Sequence, residues 1–266
     1  MLEKLDIRYF DEVDSTNTVA RDMARSGAPD GAVIVARRQT AGRGRLGRVW
    51  FSHSDFGLWF SAILKPDFPA QQAGLLGIAA SVAVARALLD TAGVVTAVKW
   101  PNDVLIAGKK VAGILPEAAI EGGRFLWAIV GMGVNLFPPD GGFPDELEEV
   151  ATYVSAHATK PVERNAVLSC VLQNLAELCR SIRADGGTTV TREAASMSCV
   201  LGRSVRVTQP GGAVPVQGRA ISINRRGELR VKMANGTFVD VSAGEVSLRL
   251  SGNTADGGVC PSGEVE

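Results

Sequence analysis

The hydrophobic pattern of this chain changes period several times. "IRYFDEV" and "AVIVARR" are aromatic and β-branched runs of strand length. Between them "TNTVARDMARSG" has helical spacing, starting after Asp14 and Ser15 and stopping at Gly27. "GLWFSAILKP" predicts a strand stopped at Pro66, and a long helix follows from about Gln71 to Ala92, with Leu75, Ile78, Ala79, Val82 and Leu89 on one face. Three strand-like stretches come next: "TAVKW" with "DVLIAGKK", "KVAGILPEAAI", and "RFLWAIVGMGVNL", the Ala-Gly-Lys-Lys segment forming a hairpin turn. Val162 to Ala184 is helical again, striped by Leu168, Val171, Leu172, Leu175, Leu178 and Ile182. After Ser198 come short alternating strands with turns at Arg226-Gly227 and Asn235-Gly236, the pattern of a small β-barrel. The last stretch, "SGNTADGGVCPSGEVE", has no period and is expected to be disordered.

Composition narrows the class. The chain has 266 residues and equal numbers of basic and acidic side chains, 28 of each. A general nucleic-acid binder carries a basic excess, so a regulator of that kind is disfavoured. The four cysteines lack C-x-x-C spacing and there are only two histidines, so neither a disulfide framework nor a protein metal site is expected. The N-terminus is not a signal peptide and no apolar run spells a membrane span, which points to a reducing, cytoplasmic protein with no membrane partner.

Against this neutral background "RRQTAGRGRLGRVWF", Arg37 to Phe51, is conspicuous: five arginines and three glycines, with no Asp or Glu between Gly31 and Ser54. Guanidinium groups bind phosphate or carboxylate bidentately, and glycines let backbone approach a ligand, so the loop reads as an anion site or as a solvated basic loop. It is not a Walker A loop. "KWPNDVLIAGKKVAGI" brings Lys99, Asn102, Asp103 and Lys110 to strand ends, and Gly113 inside an apolar strand suggests close approach of a ligand or of backbone. "VGMGVNL" lacks the third glycine of a dinucleotide fingerprint, yet Gly131 and Gly133 suggest a flat ligand packed on the sheet, beside the polar Asn135. "DSTN", Asp14 to Asn17, is a helix cap or a set of ligand-facing groups.

Taken in order, "DSTN", "QTAGRGRLGRVW", "KWPNDV", "KVAGIL", "GMGVNL" and "GEVSLR" resemble the bacterial biotin protein ligases, from about Asp6 to Leu250. The resemblance implies an α+β fold: a mixed β-sheet flanked by helices, related to the class II aminoacyl-tRNA synthetases, followed by a small SH3-like β-barrel. It divides the chain into a catalytic biotin- and ATP-binding domain at 1–197, the barrel at 198–250 and a tail at 251–266. It also implies an ATP-dependent ligase in which biotin and MgATP form biotinoyl-5′-AMP, and a lysine of a biotin carboxyl carrier domain then takes the biotin. The chain begins directly at the catalytic domain, so a DNA-binding repressor role is not expected, and relatives include monomers and homodimers.

The family's pattern further implies the site residues. Ser15, Thr16, Asn17, Gln39, Gly42, Arg43, Gly44, Arg45, Lys110, Gly113 and Gly131 match the biotin side. Arg45, Arg48, Trp50, Lys99, Asn102, Lys110 and Asn135 match the ATP side, with Trp50 packing on adenine. Arg45, Lys110 and Asp103 match catalytic positions, Asp103 as base or orienting group for the acceptor lysine. Leu46 stands where relatives often have Arg, and Pro116 interrupts a strand, so a strand end, an edge or a bulge is expected there. A lipoate or octanoate ligase on the same scaffold is the nearest alternative, although its Arg/Gly signature differs.

Overall fold

A computed structural model describes residues 5–209, 211 and 213–248, so the expected tail at 251–266 lies outside the described residues. The strand Gly57–Leu64, β3, is buried at every position. A strand covered on both faces need not alternate in polarity, which is why "GLWFSAIL" is uniformly apolar. It lies near the middle of a seven-stranded sheet of order β1-β2-β3-β7-β6-β5-β4. The other strands are β1 Asp6–Val13, β2 Ala32–Gln39, β4 Ala97–Lys99, β5 Asp103–Ile106, β6 Lys109–Glu121 and β7 Arg124–Asn135. Only β1 and β2 run parallel, so the sheet is mixed.

Each face has its own cover. Helix α1, Thr16–Arg25, sets Ala20 and Ala24 against Ala32, Ile34, Ile63 and Ile129. On the other face Leu58, Phe60, Ala62 and Leu64 join the main core with α2, Gly74–Ala92. The helices α4, Arg164–Asp185, and α5, Thr188–Ser196, pack against α2. Helix α2 is long and apolar enough to cross a membrane, but 78% of its apolar window is buried inside the protein. Because both the sheet and other helices cover it, α2 is apolar nearly all round rather than striped, and Leu89, expected on its core face, is 48% exposed. The short α3 is Asp145–Glu148.

Pro116 stays inside β6, opposite Val130 of β7. Strand β5 pairs with β6 only as far as Gly113, so Pro116 sits on a local edge, where a missing N–H costs no ladder bond. The hairpin between β5 and β6 turns at Ala107 and Gly108, both at positive φ.

The second sheet has five antiparallel strands, in order β11-β10-β9-β8-β12: β8 Ser204–Thr208, β9 Val216–Ile223, β10 Leu229–Lys232, β11 Phe238–Val241 and β12 Glu245–Leu248. Its inward residues Val205, Val207, Ala220, Leu229, Val231 and Val241 continue the main core. The Trp100 indole N–H donates to Gly227 O at 2.9 Å and Gln72 Nε2 donates to Arg225 O at 3.4 Å, so the β9–β10 turn is docked on the larger sheet and the start of α2.

Candidate active site

The strand register sets the floor of the site. Trp59 on β3 pairs with Gly133 on β7, Gly133 with Gly113 on β6, Gly113 with Asp103 on β5, and Asp103 with Lys99 on β4. Paired residues point to the same face, so this row crosses five strands on one side of the sheet. A second row runs Ser61, Gly131, Leu115. Lys110 reaches the same face through a bulge. The pairing jumps from Val104 opposite Ala112 to Leu105 opposite Lys110, leaving Val111 as the extra residue. An inserted residue exchanges the faces of what lies beyond it, so Val111 drops into the core and Lys110 rises beside Asp103, Nζ to Oδ1 at 2.7 Å.

The glycines hold protein groups close. An ideal Cβ on Gly133 would lie 2.6 Å from Trp50 Cε2, and one on Gly113 would lie 2.8 Å from Trp50 Cζ3. Where a flat ligand was expected over this sheet, Trp50 packs into the space that Gly113 and Gly133 leave open, so the structure places there the protein's own indole. Its Nε1–H is buried without an acceptor among the described residues, and Lys110 Nζ stands 5.2 Å from the ring centroid. A Cβ on Gly131 would run into the Asn17 side chain.

The N-terminal end of α1 is tied to this face by buried polar bonds. Ser61 Oγ lies 2.7 Å from both Thr16 Oγ1 and Asn17 Oδ1. Thr16 N donates to Gln39 Oε1 at 2.8 Å, Gln39 Nε2 donates to Ser52 Oγ at 3.0 Å, and Ser52 Oγ donates to Trp50 O at 3.1 Å. Ser15 is the N-cap of α1 but makes no side-chain capping bond, so the capping reading of "DSTN" is not realised there.

The arginine loop forms a small hairpin. Arg43 bridges Val49, Gly44 N donates to Arg48 O at 2.7 Å and Trp50 N donates to Gly42 O at 2.9 Å. Leu46 turns it in the left-handed region, at φ 55 and ψ 31. Three arginines fasten it to three places. Arg43 Nη1 donates to Glu117 Oε1, Arg45 Nη1 to Asn102 Oδ1 and Arg48 Nη2 to Glu245 Oε2, each at 2.8 Å. Arg45 alone of the three has an uncharged partner. Burial lowers its pKa despite the raising influence of Asp103 and Glu245, so its cation is undercompensated and an added anion would be stabilised beside it.

Loop and sheet enclose a cavity of about 640 Å³. Every site residue expected from the sequence lines it except Gly42, which sits behind it against Ser52 and the Trp50 carbonyl. Five cations, Arg43, Arg45, Arg48, Lys99 and Lys110, face two carboxylates, Asp103 and Glu245, so the cavity is positive within a chain of zero net charge. Asn102 Nδ2 donates to Ile114 O at 2.8 Å and Asn135 Nδ2 donates to Thr152 O at 3.0 Å, which fixes both amides.

Several lining groups were missed from sequence. Phe143, Leu147, Val150 and Ala151 wall one end, where Lys110 N donates to Val150 O at 2.7 Å. No period marks that segment. Glu245 comes from the second sheet, which sequence alone did not bring to the cavity. Ser61 and Glu117 stand behind the lining, and alternation in twos, from Trp59 along β3 and from Gly113 along β6, marks both.

Residues 9–135 match the biotin/lipoate A/B protein ligase family, and residues 200–249 match the biotin protein ligase C terminal domain. The bifunctional ligase/repressor BirA of Bacillus subtilis is 37% identical over 228 residues, covering 86% of this chain and 70% of that protein. The biotin–[acetyl-CoA-carboxylase] ligase of Mycobacterium tuberculosis is 34% identical over 247 residues, 90% of this chain and 88% of that one. Among solved structures, the biotin protein ligase of Aquifex aeolicus in complex with biotin and ATP superposes with a TM-score of 0.77 at 30% identity, covering 92% of this chain and 99% of that chain. Matched by these two family models and by relatives over most of their lengths, the chain belongs to the biotin protein ligase family.

Proposed function

We propose that this protein is an ATP-dependent biotin–protein ligase, with biotin and ATP as its substrates and a biotin carboxyl carrier domain as acceptor. The observation that carries the reading is the cationic cavity over the glycine row, with Arg45 in its lining held by a neutral amide. In the first step a carboxylate oxygen of biotin attacks the α-phosphorus, the bond to the β-phosphate oxygen breaks, and pyrophosphate leaves. Two anionic groups must meet, so the chain's task is to offset their repulsion and align them. Arg45 and Lys110 suit that task, since both are held in the cavity wall by neighbours that do not use all their donors. In the second step the acceptor amine attacks the acyl carbon, the bond to the phosphate oxygen breaks, AMP leaves and the amine gives up a proton. Asp103, already beside Lys110, is the carboxylate that would orient that amine or take its proton.

In this reading biotin lies toward Ser15, Thr16, Asn17, Gln39, Gly113 and Gly131. The nucleotide lies toward Arg48, Trp50, Lys99, Asn102 and Asn135, and the orphaned Trp50 N–H offers a donor in the same space. Magnesium enters as MgATP. Residues 1–197 form the catalytic portion, 198–250 the appended sheet, and the site of action is the cytoplasm.

The test is incubation with biotin, MgATP and a biotin carboxyl carrier domain, read by streptavidin. Carrier labelling with biotin and none with lipoate is expected, and absence of a biotinylated carrier overturns the reading. Lys110→Ala and Arg45→Ala should each lower pyrophosphate release by about 100-fold, the scale of losing one preorganised charge contact.

A further inference from the structure

Glu117 is absent from the motifs that mark this site, yet it lies on the same face of β6 as Gly113 and Leu115, two residues further along. Its carboxylate gathers groups from two other parts of the fold. Oε1 accepts from Arg43 Nη1 of the arginine loop, the lid of the cavity, at 2.8 Å and from Asn17 Nδ2 of α1 at 3.3 Å. Oε2 accepts from Arg21 Nε and Nη2, also of α1. The side chain is 21% exposed and the Arg43 side chain 44%. The acid is thus the more enclosed partner, and Arg43 is the one that comes to it from the arginine loop.

We infer that Glu117 is a positioning residue of the ligase: it latches the head-group end of the lid to the floor through Arg43 and at the same time sets the Asn17 amide. The inference deepens the function proposed above and rests on it for its kinetic part. The three lid arginines differ in this respect. Arg48 is held by the second sheet and Arg45 by a neutral amide, so among the described residues this carboxylate is the side-chain anchor of the Arg43 end. Asn17 also lies over Gly131, where the glycine leaves room for nothing but that amide. A carboxylate that holds the lid and the amide together couples closure of the lid to the shape of the pocket beneath. Arg43 faces a carboxylate, so its contribution is closure, whereas Arg45, held by a neutral amide, is the lid arginine left to offer its charge to the substrates.

The variant is Glu117→Gln, which keeps shape and one acceptor while removing the charge; Arg43→Gln, their double variant and Arg21→Gln accompany it. The first readout is amide exchange of residues 42–50 in the protein without substrates, which does not depend on what the enzyme ligates. Loss of a charge-assisted bond predicts exchange about tenfold faster in Glu117→Gln and in Arg43→Gln, with no further gain in the double variant. Arg21→Gln should leave lid exchange within about twofold, because Arg21 bonds the other carboxylate oxygen, Oε2, and the Oε1 bond to Arg43 remains. The second readout is steady-state kinetics: the KM for biotin should rise about tenfold while the KM for ATP stays within about twofold. Unchanged lid exchange in Glu117→Gln, or additive effects in the double variant, overturns the latch. A wild-type protein that fails to use biotin, with lid exchange still responding as described, overturns the ligase reading and leaves the latch standing.

Discussion

At the scale of the residue, the site is built by what is missing. Gly133 and Gly113 clear a path for an indole, and Gly131 for an amide. Replacing Gly133 by Ala would set a methyl group against Trp50 and force the ring away from Lys110 and the floor. Overpacking of this kind costs about 1–3 kcal/mol, and here the indole side chain can absorb it by moving. We therefore expect Gly133→Ala to remain folded, with a melting temperature within a few degrees of the parent, while adenylate formation falls about tenfold or more. Calorimetry and pyrophosphate release on one preparation check both parts; a large loss of melting temperature with normal turnover per folded molecule would contradict the assignment. The glycines were legible in the sequence because an apolar strand has no other reason to give up side chains. What fills their space was not, because Trp50 is brought there by a loop whose path no period encodes. Glu117 was legible in principle, because it continues the alternation that runs from Gly113 through Leu115.

At the scale of the element, strands and long helices follow from period and stop signals, but two devices escaped that reading. One is the bulge at Val111, which exchanges faces within a run that reads as uninterrupted strand and so delivers Lys110 to Asp103. The other is α5, folded back after Gly186 and Gly187 at positive φ. Its first turn is capped from upstream: Asp185 Oδ1 accepts from Gly187 N and Thr188 N, each at 2.9 Å, and Oδ2 from Thr189 N at 3.0 Å. Desolvation works to raise the Asp185 pKa, but the bonds from Thr189, Gly187 and Thr188 outweigh it and hold the carboxyl below its usual range. A depressed folded pKa means that this stabilisation is complete above the unfolded value, near 4, and fades as pH falls through the folded value. Asp185→Ala should cost about 1 kcal/mol at neutral pH, and the gap to the parent should close in strong acid. Urea melts at neutral and acidic pH measure this, and a gap that stays constant across the range would refute the cap.

At the scale of the whole molecule, a chain with no net charge concentrates five cations around one cavity. Its pull on anionic substrates is therefore local and short in range, and salt should weaken capture more than chemistry. Between about 0.05 and 0.5 M salt we expect kcat/KM for ATP to fall several-fold and kcat to change by less than twofold; the reverse pattern would place the electrostatics in the chemical step. The sequence announced both sheets but not their union, because the joining contacts are single residues scattered through it: Trp100 to Gly227, Gln72 to Arg225 and Arg48 to Glu245. The last of these spans 197 positions. As the chain is synthesised, the lid and the glycine row emerge early and their far wall on β12 emerges late. Until β12 arrives Arg48 has no carboxylate to hold it. Such a long-range closure is slow to form and is entropically the last to be rewarded. Completion of the cavity is thus coupled in time to completion of the fold, and a half-made chain is spared the work of holding a reactive anhydride behind an open wall.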